Sequence, residues 1–226
     1  MDEIFIKPIA TVKSDFKEKF GIPRQSGRAN SLTSKIVFKK EFSDPDAFRA
    51  LDGFSYVWII FGFNKAFGKD WSPTVRPPRL GGNQKIGVFA SRSPFRPNRL
   101  GLSSCKLIGI EKTENGIILN VLGLDLLDGT PVYDVKPYLP FTDAHLDAVG
   151  GYADKTVDYK LSVNFPEQLL SIIPEDKRDG LIECLSDDPR PSYQDDGREY
   201  GMAFSDFNVK FTVSDKVLTV IAVEKL

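Results

Sequence analysis

The sequence predicts a mainly β protein: a small closed β-barrel over residues 1–150 and a smaller α+β domain over residues 151–226. Three observations predict it. Short stretches rich in β-branched and aromatic residues recur, separated by turn pairs such as Asn115-Gly116 and Asp128-Gly129. Only one helix start, Ser43-Asp44-Pro45, interrupts the early strands. The charge balance also changes sign: residues 1–150 hold 21 Lys and Arg against 16 Asp and Glu, and residues 151–226 hold 9 against 15. Closure into a barrel is the economical arrangement for so many short strands, because it leaves no unpaired edge.

Taken in order, Ile4–Val12 reads as a first strand and Lys35–Lys40 as a second. A short helix follows from Ser43-Asp44-Pro45 to about Leu51, where Asp52-Gly53 stops it. Tyr56–Phe63 is a near-continuous apolar run, the pattern of a strand buried on both faces. The loop 64–84 carries Pro73, Pro77, Pro78 and the Gly81-Gly82 pair, and a loop of that length in a compact domain is usually functional. Strands resume at Lys85–Ala90 and Leu100–Glu111, then Ile117–Leu124 and Pro131–Lys136 around the two turns. Asp143–Asp154 reads as a linker. Beyond it come a strand at Thr156–Asn164, a helix at Pro174–Leu185, and a hairpin of Phe207–Val213 and Lys216–Val223 about Ser214-Asp215.

Composition excludes several classes. No apolar run approaches the roughly 18 residues of a membrane span, and the acidic start MDEIFIKPIA is unlike a signal peptide, so a cytoplasmic protein with no membrane partner is expected. Cys105 and Cys184 lie among apolar residues and read as buried thiols. With His145 as the single histidine, no metal motif forms and no metal is expected. The glycine spacing of a dinucleotide-binding turn, the phosphate-binding loop and the nucleophile elbow of hydrolases are all absent. What stands out is the stretch from Trp71 to Ile110, which has seven basic residues and no acid. Such a run is either a solvated face or an electrostatic footprint for nucleic acid.

Three segments are more specific: KEKFGIPRQSG (17–27), RPPRLGGNQKIGVFASRSPFRPNRLGLS (76–103) and LDLLDGTPVYDVKPYLPF (124–141). Together they closely resemble the TrmO family, also called YaeB or TsaA-like proteins. DDPRPSY (187–193) and FSDFNVKF (204–211) resemble the extra C-terminal domain of its bacterial members. The resemblance implies a small β-barrel that forms a homodimer, with S-adenosylmethionine held close to the dimer interface. It implies methylation of the exocyclic amine of threonylcarbamoyl-adenosine beside the anticodon, with the tRNA anticodon loop as partner and no role for DNA.

The same resemblance assigns candidate residues, and each has a plainer alternative. Pro23, Arg24 and Gln25 offer a stiff backbone, a guanidinium and an amide to the cofactor, or make a turn with a surface arginine. Asn64 and Lys65 follow the apolar run, where a barrel rim would be; family members often have His-Gln there, so this pair departs from the pattern. Arg92 reads as a cofactor contact and Leu102 as the apolar wall beside it, or as plain core. Arg96 and Arg99 read as tRNA contacts, or as parts of a solvated loop. Arg190 and Tyr193 of the late segment are further tRNA candidates. Leu127, Asp128, Gly129 and Thr130 bring backbone donors and a carboxylate to the rim, or form a generic hairpin turn. Lys136 and Tyr138 are expected near the substrate base, the tyrosine by stacking and the lysine on the anionic substituent. Asp128 is the candidate proton acceptor.

Two other functions use the same basic loop. A non-catalytic RNA-binding barrel reading the anticodon loop needs no convergence of Pro23–Gln25 with Arg92. A small-molecule methyltransferase would suit the net charge of −1, since many tRNA binders are far more basic.

Overall fold

The computed structural model describes residues 3–68, 70–77, 80, 84–190 and 197–226. Its first strands are β1 (Ala10–Lys13), β2 (Thr33–Phe38), β3 (Tyr56–Gly62), β4 (Thr74–Val75), β5 (Ile86–Gly87), β6 (Leu100–Thr113), β7 (Gly116–Leu122) and β8 (Pro131–Pro137). Six of them close into an antiparallel barrel in the order β1-β2-β7-β6-β3-β8. The ring shuts where Ala10 and Thr11 of β1 face Val132 and Pro131 of β8. The small β4–β5 ribbon stands apart.

Side chains alternate across each strand with a period of two, so every second residue enters the barrel. Val57, Ile59 and Phe61 of β3 meet Ile117, Leu119 and Val121 of β7 in one core, with Ile36, Val132 and Leu126. The expectation that the β3 run is buried on both faces is corrected by this alternation. Tyr56 is exposed, while Trp58 and Ile60 are only half-buried.

Other boundaries also shift, for local reasons. The first strand begins at Ala10 rather than Ile4, and Ile4 and Phe5 are exposed. The early helix is a single 3-10 turn, Pro45–Phe48, capped by the Asp44 side chain, which accepts from the Asp46 N–H. Arg49 ends it by turning extended at ψ 129°, and Ala50, in the left-handed region at φ 65°, leads into a separate 3-10 turn, Leu51–Gly53. The strand expected at Lys85–Ala90 is only Ile86–Gly87, and Val88–Ala90 turns away as a 3-10 segment.

After the barrel come a one-turn helix α1 (Pro140–Asp143), a 3-10 segment Gly151–Thr156, strand β9 (Ser162–Asn164), and helices α2 (Glu167–Leu170) and α3 (Glu175–Ser186). Strands β10 (Tyr200–Phe204), β11 (Phe207–Ser214) and β12 (Val217–Lys225) complete the chain. The second sheet has the order β10-β11-β12-β9, with β9 parallel to β12. The expected hairpin is present, its turn at Asp215-Lys216. The expected strand 156–164 shortens to β9, and β10 had no counterpart in the sequence reading.

The core of this second unit is not made by residues after 150 alone. Phe16, Ala29 and Leu32, from the β1–β2 connection, are buried in it with Ile173, Leu181 and Phe211. Phe20 of that connection stacks on Tyr200 and Phe211, at 6.3 and 6.4 Å between ring centroids. Gly180 of α3 is needed for this docking, since a Cβ there would stand 2.2 Å from Leu32 Cγ. Arg28 Nε donates to the buried Asp187 Oδ1 at 2.6 Å, and Lys177 pairs with Asp15. Residues 14–32 therefore leave the barrel, build into the second unit, and return.

Candidate functional site

The return path of residues 14–32 carries Pro23, Arg24 and Gln25 over one end of the barrel. They line a cavity of about 470 Å³, within the roughly 300–1,000 Å³ typical of small-molecule sites. Its walls are apolar, with Phe61 and Phe63 from the end of β3, Leu100 and Leu102 from the start of β6, and Leu126. Its polar groups are Gln25, Arg92, Arg96, Ser103 and Asp125. A neighbouring cavity of about 200 Å³ shares Phe61, Phe63, Asp125 and Leu126, and adds Asn64, Lys65, Leu127 and Thr130.

Gln25 and Arg92, 67 residues apart, meet directly: Arg92 Nη1 donates to Gln25 Oε1 at 2.5 Å. Arg24 also lines the cavity, but its Nη2 donates to the Arg190 and Asp188 carbonyls at 2.6 and 3.3 Å. The second unit thus holds the middle residue of the Pro23–Gln25 turn. Leu102 is half-exposed at the cavity wall, and Arg96 turns its Nη1 toward the Ser91 carbonyl at 3.4 Å.

The residue missed in the sequence is Asp125. It lines both cavities, and Ser103 Oγ donates to its carboxylate at 2.7 Å. Burial raises its pKa above the usual carboxylate range; Ser103, two backbone N–H groups and the Arg92 charge only partly offset this. Among the described residues lining the two cavities it is the only carboxylate. The pattern Leu124-Asp125-Leu126-Leu127 held a signal for it: an acid inside an apolar run, where a partner or a task is required.

The turn after it divides in two. Leu127 and Thr130 face the smaller cavity, and the Gly129 carbonyl accepts from Asn64 Nδ2 at 3.5 Å. Gly129, at φ 78°, lets the chain reverse. Asp128 lines neither cavity. Its Oδ1 accepts from the Ser14 N–H at 3.2 Å, and its Oδ2 faces Lys17 and Lys13 at 3.5 and 3.9 Å. That carboxylate braces the exit of β1. Lys65 is exposed, and its backbone N–H donates to Asn64 Oδ1 at 3.0 Å.

Several candidates are not brought to the cavities. Tyr138 lies beside Tyr56 at the far end of β3 from Phe61, roughly 17 Å along a strand at 3.3–3.4 Å per residue, and Lys136 faces Trp58, roughly 10 Å from Phe61. Lys136 pairs with Asp134 at 2.9 Å. Arg99 adopts φ 47° in the turn that enters β6, and its Nε is buried without a hydrogen-bond partner among the described residues. Arg190 is buried, its Nε and Nη2 held by Asp188 at 2.9 and 3.1 Å, so the structure does not offer it to RNA. Tyr193 lies outside the described residues. Both cysteines are buried and free; burial pushes the Cys105 thiol up to about 12 and raises Cys184 as well, which leaves both protonated and inert. Among the described residues no helix is long and apolar enough to cross a membrane.

Comparison with known proteins agrees with this fold. Residues 11–144 match the family model for the tRNA-methyltransferase O N-terminal domain, and residues 158–226 match that for the TrmO C-terminal domain. The chain is 40% identical to a tRNA (adenine(37)-N6)-methyltransferase of Escherichia coli K12, covering 99% of each chain. It is 48% identical to one from Eikenella corrodens, over 75% of this chain and 97% of the other. The crystal structure of TrmO from Pseudomonas aeruginosa superposes with a TM-score of 0.80, at 32% identity and 99% coverage of both chains.

Proposed function

Since the chain belongs to the TrmO family, we propose that it methylates the exocyclic amine of adenine 37 in tRNA with S-adenosylmethionine as the donor. The adenosine in question is the threonylcarbamoyl form adjacent to the anticodon. The observation that carries the reading is one cavity with apolar walls where Gln25, Arg92 and Asp125 converge. These residues fit the donor. Phe61, Phe63, Leu100, Leu102 and Leu126 wall an aromatic base and exclude water, and the Pro23–Gln25 turn with Arg92 supplies fixed polar groups for its amino-acid end. Asn64, Lys65, Leu127 and Thr130, in the adjoining cavity, complete the rim.

Bound S-adenosylmethionine supplies a methyl group already activated on a sulfonium, so holding the amine in line with it accounts for much of the rate. The chain must still take a proton. As the adenine nitrogen gains the methyl group it gives up one N–H proton, and the Asp125 carboxylate is placed to accept it. The acid-free stretch from Trp71 to Ile110 supplies cations for the anticodon-loop backbone, Arg96 and Arg99 among them. The enzyme works in the cytoplasm as a homodimer, in which the exposed Leu102 and Ile108 of β6 gain cover.

The test is transfer of radiolabelled methyl onto bulk tRNA from a strain lacking the activity, with digestion to nucleosides. Label on threonylcarbamoyl-adenosine is the expected result. No transfer to tRNA, with the cofactor still bound, would return the protein to a non-catalytic RNA-binding barrel. Equal transfer to tRNA that lacks the threonylcarbamoyl group would refute the substrate.

A further inference from the structure

Strand β6 buries one hydroxyl, that of Ser103. The alternation of the strand puts Ser103 on the inner face with Cys105 and Leu107, opposite Ile59 of β3. The core beside it is apolar, so a hydroxyl there carries a desolvation cost unless it finds a partner. Its partner is Asp125: Ser103 Oγ donates to Oδ1 at 2.7 Å. Both residues line the cofactor cavity, so this bond is made at the cavity wall. Among the described residues Ser103 is the only side chain that hydrogen-bonds to the Asp125 carboxylate.

The groups around the carboxylate show what the bond adds. Burial favours the neutral acid, and the Ser103 hydroxyl is the strongest of the groups that oppose it. The Asp125 backbone N–H, the Arg92 charge and the Ser26 backbone N–H act in the same direction as the hydroxyl. Cys105 also feels this carboxylate, but its thiol stays protonated and adds no charge. The other titratable groups lining the two cavities, among the described residues, are Arg24, Arg96, Lys19 and Lys65. An ionised carboxylate offers about four acceptor positions. The hydroxyl and the two backbone N–H groups fill three of them, which leaves roughly one for an incoming proton. Without the hydroxyl the neutral acid gains ground, and the carboxyl group loses the side-chain contact that fixes its rotation.

We propose that Ser103 is a positioning residue for methyl transfer: its hydroxyl holds the Asp125 carboxylate ionised and turned so that an open acceptor position faces the cavity. This rests on the tRNA methyltransferase reading, with Asp125 as proton acceptor, and adds the group that readies it. The proton given up by the adenine nitrogen goes to the open position on Asp125. Ser103 keeps its own proton throughout, so nothing is relayed through it.

Ser103→Ala and Ser103→Thr are compared with the wild type on the full chain by two readings. The first needs neither RNA nor cofactor. The carboxyl carbon resonance of Asp125, assigned by its loss in Asp125→Asn, is followed by NMR against pH. The hydroxyl stabilises the ionised form, so the midpoint should move up in Ser103→Ala and return toward the wild type in Ser103→Thr. The second reading is the pH profile of single-turnover methylation at saturating cofactor. Its acid limb should move the same way. At the foot of that limb the Ser103→Ala rate should fall by roughly 10–100-fold, the range for a hydrogen bond to a charged group, and cofactor affinity should hold. An unmoved resonance midpoint in Ser103→Ala would overturn the proposal whatever the rates do. A rate loss equal at every pH would overturn it as well and leave Ser103 a packing residue. A midpoint that moves as expected in a protein that methylates no tRNA would refute the enzymatic reading alone, with the hold of Ser103 on Asp125 still established.

Discussion

Replacing Asp125 by Asn keeps its size and one acceptor for Ser103 but removes the charge and the basicity. The side chain lines both cavities and is the only carboxylate among their described lining, so no described neighbour there can take over the proton. General-base groups contribute typically about 10²–10⁴-fold, or roughly 3–5 kcal/mol of barrier at 1.36 kcal/mol per tenfold. Single-turnover methylation with saturating cofactor is the assay, because it isolates chemistry from binding and product release. A loss of that size is expected, with calorimetry showing little change in cofactor affinity. Stability should move the other way. The raised pKa means that folding disfavours the ionised form, so stability is greatest below the unfolded pKa near 3.9. It falls as pH rises through the window up to the raised folded value. Ionising Asp125 in the folded protein therefore costs stability, and Asp125→Asn, which removes that cost, should unfold at an equal or higher urea concentration. A variant with the wild-type single-turnover rate would refute the proton-acceptor role; a normal rate constant with weakened cofactor affinity would make Asp125 a binding group.

Three further outcomes follow from the geometry. Arg92→Ala should weaken cofactor binding by roughly 1.5–3 kcal/mol in calorimetry, the value of a charge-assisted hydrogen bond, and an unchanged affinity would remove it from that site. Asp128→Ala should cost about 1 kcal/mol of stability in urea, through loss of the Ser14 contact. A loss of rate without that loss of stability would put this carboxylate into the chemistry. Gly180→Ala should cost about 1–3 kcal/mol by forcing Leu32 from α3, read from the urea midpoint; a neutral effect would mean that the 14–32 segment is loosely docked.

The barrel was legible because strand alternation and the Asn115-Gly116 and Asp128-Gly129 turns are local and leave their mark on adjacent residues. Pro23, Arg24, Gln25, Arg92 and Leu102, far apart in sequence, line one cavity. Asp125 and Asp128 show the limit. Three residues apart in one short motif, they face different surroundings, and only the fold tells which one looks into the cavity. Arg190 failed as a surface cation for the same reason, since its partner Asp188 is local but its burial is tertiary. The helix at Pro45 stops after one turn because Arg49 turns extended and Ala50 left-handed, which nothing in the sequence announced. No periodic pattern marks residues 14–32 as part of the second core, because their apolar residues are matched to α3 and β11 rather than to each other.

That interpenetration makes cofactor affinity and the cohesion of the C-terminal unit reciprocal quantities. Arg24 is gripped by the Asp188 and Arg190 carbonyls while its neighbours on either side line the cavity. Whatever free energy a ligand gains by finding Pro23–Gln25 already ordered, the C-terminal sheet must regain as resistance to local opening. Hydrogen exchange in β10 and β11 should therefore slow when the barrel binds its cofactor, although no atom of those strands lines that cavity. Drift in sequence on the surface of α3, far from any chemistry, then becomes a means by which evolution tunes how tightly the donor is held.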